Sequence, residues 1–224
     1  MSLRDRFVIA GVVFDLDGTL VDNIAFHFEA FRALAARLGT TMDNATFQSF
    51  NGLKNADIFP RFLGRALSPA EIAALSDEKE RTYRDLYRPK LAPHHGALAL
   101  LDRLRAAGVK LAVASSAPPE NRAMVLDGLG WNARFDAVVA SEGLRGKPAP
   151  DVFLAAAERL GVAPEACIAF EDAENGVRAA AAANMLVVGV TTNVPAAELA
   201  AAGARFTIAD FTSLPHELDA ILPR

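Results

Sequence analysis

Apolar positions fall into two regimes along this chain. From Val8 to Phe14 they run almost unbroken, interrupted only by Ala10-Gly11, and stop at Asp15. Such a run reads as a strand buried on both faces, the kind found inside parallel sheets. Beyond it the period changes. Phe26, Ala30, Ala33, Leu34 and Leu38 recur at helical spacing between Asp22 and Leu38, and the pattern ends at Gly39. Helical periodicity continues over Thr46 to Phe50, Ala56 to Leu63 and Ala70 to Tyr87, the last opened by Ser68-Pro69 as an N-cap and first-turn pair. From Ala97 onward the regimes alternate. Helices are predicted over Ala97 to Ala107, Glu120 to Leu129, Asp151 to Leu160, Glu174 to Asn184 and Ala196 to Ala202. Strands are predicted over Lys110 to Ala114, Asp136 to Ala140, Cys167 to Phe170, Leu186 to Val190 and Arg205 to Ile208.

Strands separated by crossover helices predict an α/β fold: a doubly wound, Rossmann-like parallel sheet with right-handed connections. The helical block between two strand-bearing regions reads as an inserted all-helical cap domain. The expected division is a core of residues 1–21 and 95–224 with a cap of residues 22–94, hinged near Val21 to Asn23 and near Ala92 to Gly96.

Composition narrows the class. With 224 residues, 52% of them hydrophobic, the chain can bury a substantial core. A net charge of −4 without any Lys/Arg-rich run argues against nucleic acid or an anionic membrane as partner. Cys167, the single cysteine, lies in an apolar run and reads as a buried, inert thiol suited to a reducing compartment. The stretch Met1 to Arg6 carries charges where a signal peptide needs its apolar centre, and no apolar segment reaches membrane-spanning length. The expectation is a soluble cytoplasmic protein, monomeric with a dimer as the alternative.

Chemistry concentrates at strand ends, where open α/β sheets gather their ligands. The first strand ends in Asp15-Leu16-Asp17-Gly18-Thr19. Two carboxylates this close need a bound cation, a shared proton or a nearby lysine to offset their repulsion. Magnesium suits one or two carboxylates together with a substrate phosphate. One aspartate is then free to act as nucleophile and the other as general acid/base. Ser115-Ser116 ends the next strand, where hydroxyls and backbone amides can hold a phosphate dianion. Lys147 sits in Gly146-Lys147-Pro148-Ala149-Pro150-Asp151, stiffened by two prolines and placed to offset charge on a nucleophile and a transferring phosphoryl group. Glu171-Asp172 follows a buried strand directly, a costly position for two acids unless they meet a cation.

These segments, in this order, resemble the motifs of the haloacid dehalogenase superfamily, most of whose members are magnesium-dependent phosphohydrolases acting through an aspartyl-phosphate. The resemblance spans the whole chain, and is nearest to the subgroup of β-phosphoglucomutase and small sugar-phosphate phosphatases. It implies Asp15 as nucleophile and Asp17, kept protonated by its surroundings, as acid/base. It also implies Ser115 and Lys147 in the catalytic set, and a magnesium ion held among Asp15, Asp17, Glu171 and Asp172. His27, in Phe26-His27-Phe28-Glu29-Ala30-Phe31, resembles a histidine that positions the acid/base aspartate. Gly52, Lys54 and Asn55 fall in the substrate-facing cap loop, Lys79 matches a mutase substrate lysine, and Ser116 joins them as a substrate contact.

Two departures favour hydrolysis over the mutase alternative. Asn55 stands where the mutase pattern has an arginine for the distal phosphate, with Lys54 beside it, and Ala117-Pro118-Pro119 replaces a polar Ser-Lys-Asn continuation. A dehalogenase has no use for Asp17, and the phosphonate hydrolases, which use a cap lysine such as Lys54, lack that aspartate. A non-enzymatic interaction module would be expected to lose one of Asp15, Asp17, Lys147 or Asp172. The expected activity is therefore a magnesium-dependent phosphatase of a small phosphorylated metabolite.

Overall fold

The computed structural model describes residues 9–223. Its sheet contains β1 (Gly11–Phe14), β2 (Lys110–Ser115), β3 (Ala137–Ala140), β4 (Cys167–Glu171), β5 (Leu186–Val190) and β6 (Phe206–Ile208). All neighbours pair in parallel, in the order β3-β2-β1-β4-β5-β6. The chain works outward from β1 in one direction, then returns to its other side at β4. That reversal opens a crevice at the carboxyl end of β1, where such folds place their ligands.

Alternation along β1 shows why the opening run is apolar on both parities. Val12 and Phe14 pack into one layer with Leu101, Phe170 and Val188. Val13 faces the other layer with Phe153, Ala169 and Val177. Phe14 stacks on Phe170 of the adjoining strand at 5.0 Å between ring centroids. The strand begins at Gly11 rather than Val8, which lies outside the described residues. β2 and β4 each run one residue further than their apolar patterns, because Ser115 and Glu171 keep the ladder register with Ala140 and Gly189.

The helices are α1 (Ile24–Arg37), α2 (Asn44–Gln48), α3 (Asn55–Leu63), α4 (Pro69–Tyr87), α5 (Ala97–Ala106), α6 (Pro119–Gly128), α7 (Asp151–Leu160), α8 (Glu174–Ala182), α9 (Ala196–Ala202) and α10 (His216–Ile221). The first four form the inserted helical cap. They enclose an apolar cluster of their own, centred on Phe31, Leu34, Phe47, Ile58 and Phe59. Ser68 caps α4 as its sequence predicts, accepting from the Glu71 N–H while the Glu71 carboxylate accepts from the Ser68 N–H. α10 escapes the sequence pattern because it is a short helix whose buried side chains, Leu218 and Ile221, span one turn. No described helix is long and apolar enough to cross a membrane, and Cys167 is fully buried.

Candidate active site

Three strand ends, those of β1, β2 and β4, and one loop converge at the crevice. Gly18 turns the chain at φ 81°, and a side chain there would collide with the Asp172 carboxylate. Glycine is thus required twice, for the turn and for the approach to the acidic strand end. Lys147, nearly fully buried, is carried in by the loop ahead of α7. Its Nζ donates to Asp15 Oδ1 at 2.6 Å and to Glu171 Oε1 at 2.5 Å. Glu171 spends its other oxygen on the Ala173 N–H at 2.8 Å. Asp172 accepts from the Thr19 hydroxyl at 3.2 Å.

Two buried carboxylates therefore share one ammonium, and a third, Asp172, lies beside them without a bond to it. Burial pushes the Asp15 carboxyl up to about 8, against the pull of Lys147 and with the help of Glu171 and Asp17. Asp172 is driven well above its ordinary value, again by burial and then by Glu171 and Asp15. Lys147 is held above its ordinary value: burial opposes its charge, but Asp15 and Glu171 outweigh it. This negative excess and an all-oxygen donor set fit a hard divalent cation. Among the described residues no three His, Cys, Asp or Glu side chains gather as a metal cage. What fits is a site built on two carboxylates, Asp15 and Asp172, with substrate oxygens completing it. Of the other two acids expected at the metal, Glu171 is engaged by Lys147 and the Ala173 N–H, and the Asp17 carboxylate has other partners.

Asp17 Oδ1 accepts from Asn23 Nδ2 at 2.5 Å and lies 3.7 Å from His27 Nε2. Lys79 Nζ donates to His27 Nδ1 at 2.8 Å, so the imidazole proton sits on Nε2 and faces Asp17. The ring is fixed by stacking on Tyr83 at 3.7 Å. Burial pushes the Asp17 carboxyl up, yet His27 and the Asn23 amide outweigh it and leave it below its ordinary value. Burial and the neighbouring Lys79 likewise hold His27 below its ordinary value. The sequence expectation of a protonated Asp17 is corrected here: in this state it is ionised, because two N–H donors face one carboxylate oxygen.

The two serines separate. Ser115 Oγ accepts from the Ala117 N–H at 3.0 Å and so braces its own turn. Ser116 lines the cavity, and its buried hydroxyl has no partner, a donor left for a ligand. The cavity, about 360 Å³, reaches from Asp15, Asp17, Lys147 and Asp172 into the helical insertion. Gly52, Lys54, Asn55, His27 and Lys79 all line it.

Lys54 departs from its expected role as a phosphate contact. Its ammonium donates to the Ser141 and Leu144 carbonyls at 2.5 and 2.6 Å, which ties the cap to the loop leading to Lys147. Two of its three N–H donors are spent this way, and an ammonium so held lacks the neutrality a Schiff base needs. Asn55 donates to Glu80 Oε1 at 2.8 Å. Lys79 is buried rather than solvated, 2.9 Å from Glu80 and 4.7 Å over the Phe31 ring.

Sequence reasoning passed over Asn23, Glu80 and Asn121. Asn23 holds Asp17 and accepts from the Gly18 N–H at 3.0 Å. Glu80 accepts from Asn121 on α6 at 2.7 Å, joining the cap to the core. Its neighbours Asp77, Glu78 and Arg81 make the helix read as a solvated face, and only the three-residue step from Glu80 to buried Tyr83 hints otherwise.

A family model described as haloacid dehalogenase-like hydrolase matches residues 9–184. The chain is 33% identical over 184 residues to a fructose-1-phosphate phosphatase of Escherichia coli, covering 81% of this chain and 96% of that one. It is 35% identical over 193 residues to a β-phosphoglucomutase of Bacillus subtilis, covering 82% and 84%. A crystal structure of β-phosphoglucomutase from Clostridium difficile superposes with a TM-score of 0.83 at 28% identity, covering 95% of this chain and 96% of the other. Motifs, sheet order and helical insertion agree with these matches, and the chain belongs to the haloacid dehalogenase-like hydrolases.

Proposed function

We propose that this protein is a magnesium-dependent phosphatase of a small phosphate monoester of the sugar-phosphate class, working through phospho-Asp15. One observation carries the reading: a buried aspartate, held 2.6 Å from a buried lysine, lies at the floor of a half-open cavity with a second carboxylate two residues on. Asp15 first releases to solvent the proton that burial favours and attacks phosphorus as the carboxylate, the ester P–O bond breaks, and the departing oxygen takes a proton from Asp17. Water then attacks the acyl phosphate while Asp17 removes its proton, and inorganic phosphate leaves. Asp17 is ionised before substrate arrives, ready for the second half-reaction. A phosphate dianion brought against it raises its proton affinity, so that it takes up from solvent the proton it donates in the first. Lys147 and Ser116 meet charge on the transferring group. Asp15 and Asp172 would hold the magnesium ion, which supplies neutralisation of phosphoryl oxygens when bound.

The Escherichia coli relative supports the substrate class, and the Bacillus subtilis relative supports a second reading as a phosphosugar mutase, in which a bound sugar phosphate replaces water. His27, turned towards Asp17, serves either chemistry. Phosphorus NMR with magnesium and a panel of sugar phosphates, including β-glucose 1-phosphate with a trace of the 1,6-bisphosphate, separates them. The expected result is free inorganic phosphate; glucose 6-phosphate without free phosphate establishes the mutase. Asp15→Asn is expected to abolish turnover while keeping the fold, and a substantial residual rate removes Asp15 as nucleophile.

A further inference from the structure

The half of the cavity away from Asp15 is made from the cap's own apolar cluster. Phe31, Phe47, Phe50 and Ile58 belong to that cluster and line the cavity, and the Ala117-Pro118-Pro119 segment lines it from the core. A ligand reaching past the phosphate meets rings and aliphatic groups there.

Cations tell the same story. Among the described residues lining the cavity there is no arginine. Lys147 belongs to the floor, between Asp15 and Glu171. Lys54 is consumed by two backbone carbonyls, and Lys79 by Glu80 and His27. Asn55, where the mutase resemblance leads one to expect an arginine for the distal phosphate, gives its amide to Glu80. Glu80 itself lines the cavity as a buried carboxylate. A second phosphate entering this half would lose its water and face a fixed carboxylate, with Lys79 and Lys147 in ion pairs and Lys54 held against backbone carbonyls.

We propose that the alcohol half of the substrate is uncharged and presents a hydrophobic face, as a deoxygenated sugar does, and that esters carrying a second phosphate are excluded. This rests on the phosphatase reading of Asp15 and narrows its substrate class. The cavity volume of about 360 Å³ suits one ring with its phosphate. Polar recognition of that ring falls to the few groups facing it, Asn51 and Ser76 among them.

The test compares three esters sharing one leaving-group type: glucose 6-phosphate, 2-deoxyglucose 6-phosphate and glucose 1,6-bisphosphate, each with magnesium. Hydroxyl removal is expected to raise kcat/KM about fivefold, since one less polar group is desolvated against apolar walls. The bisphosphate is expected to fall about a hundredfold below glucose 6-phosphate through unpaired charge beside Glu80, and Glu80→Gln to narrow that gap about tenfold. Calorimetric binding of the same three esters to Asp15→Asn protein is expected to keep the ranking without any turnover. A bisphosphate that binds and reacts within about threefold of glucose 6-phosphate, or a deoxy ester no better than its parent, overturns the proposal. Loss of turnover for all three and for para-nitrophenyl phosphate, with the binding order intact, overturns the phosphatase reading and leaves the cavity assignment standing.

Discussion

At the scale of single residues, the site is decided by how few charges balance which others. Asp15 and Asp17 are two positions apart, yet burial and Glu171 raise the first while His27 and Asn23 lower the second. The motif string shows that both acids are present, but the partners that set their protonation come from α1 and from the ends of other strands. If Asp17 serves as acid and then base, Asp17→Asn slows alkyl phosphates by roughly a thousandfold through loss of leaving-group protonation. An aryl phosphate, whose leaving group needs no proton, is expected to give a stoichiometric burst of phenol followed by slow turnover, seen by stopped-flow absorbance. No burst from the aryl ester would mean Asp17 matters to the first step for another reason. Glu80 supplies the pH prediction. Burial opposes its charge, but Lys79, His27 and Asn55 bring its carboxyl down from 4.5 to about 2. A depressed folded pKa contributes stability above 4.5, and that contribution is lost as pH falls from 4.5 towards 2. The shift corresponds to on the order of 3 kcal/mol. Chemical denaturation of wild type against Glu80→Gln is expected to show a gap of that order at pH 7, shrinking to about a quarter of it by pH 2.5. A gap that does not move with pH would reduce Glu80 to a packing role.

At the scale of elements, what sequence reveals best is what local pattern and strand position determine. The apolar strands, the Ser68 cap and the acidic strand ends are all readable because each is set by residues within a few positions of one another. Lys54 is the counterexample. Its carbonyl partners lie 87 and 90 residues further along the chain, and nothing near position 54 announces them. A lysine in a substrate loop reads as a phosphate contact, whereas here it clamps the start of α3 to the segment that delivers Lys147. The consequence is testable by charge dependence. Lys54→Ala removes two charge-assisted hydrogen bonds and is expected to lower kcat/KM about tenfold for singly phosphorylated and neutral-tailed aryl substrates alike. Steady-state kinetics on a charge-graded ester series checks this. A loss that grows with substrate charge would return Lys54 to the pocket as a phosphate ligand.

At the scale of the whole molecule, the parallel sheet provides a floor and the helical insertion a lid, and the chemistry needs both in register. The lid is tied down by scattered polar contacts in addition to an apolar seam, in which Ala30, Tyr83 and Tyr87 share one buried cluster with Leu20, Val21 and Leu101 of the core. Asn175 donates to the Asn51 carbonyl at 2.8 Å, Gln48 to Asn193 at 2.7 Å, Asn121 to Glu80 at 2.7 Å and Arg84 to Asn121 at 2.9 Å, besides the two bonds of Lys54. Polar contacts of this kind are each modest in net free energy because water replaces them on opening. A lid held so can admit substrate and still exclude water once closed. Lys54 and Asn121 anchor opposite sides of it, one on the loop before α7 and the other on α6. Removing both is expected to shift the equilibrium towards an open lid without disturbing either apolar core. The closed molecule has an expected radius of gyration of about 17 Å. Small-angle scattering of Lys54→Ala/Asn121→Ala is expected to show an increase on the order of 1 Å, from a lid swinging about its two connections. Magnesium with a non-hydrolysable phosphate analogue is expected to reverse the increase, because a ligand touching both halves favours closure by its differential contacts. An unchanged radius would mean that the apolar contacts across the hinge, not these polar ties, set the closed state.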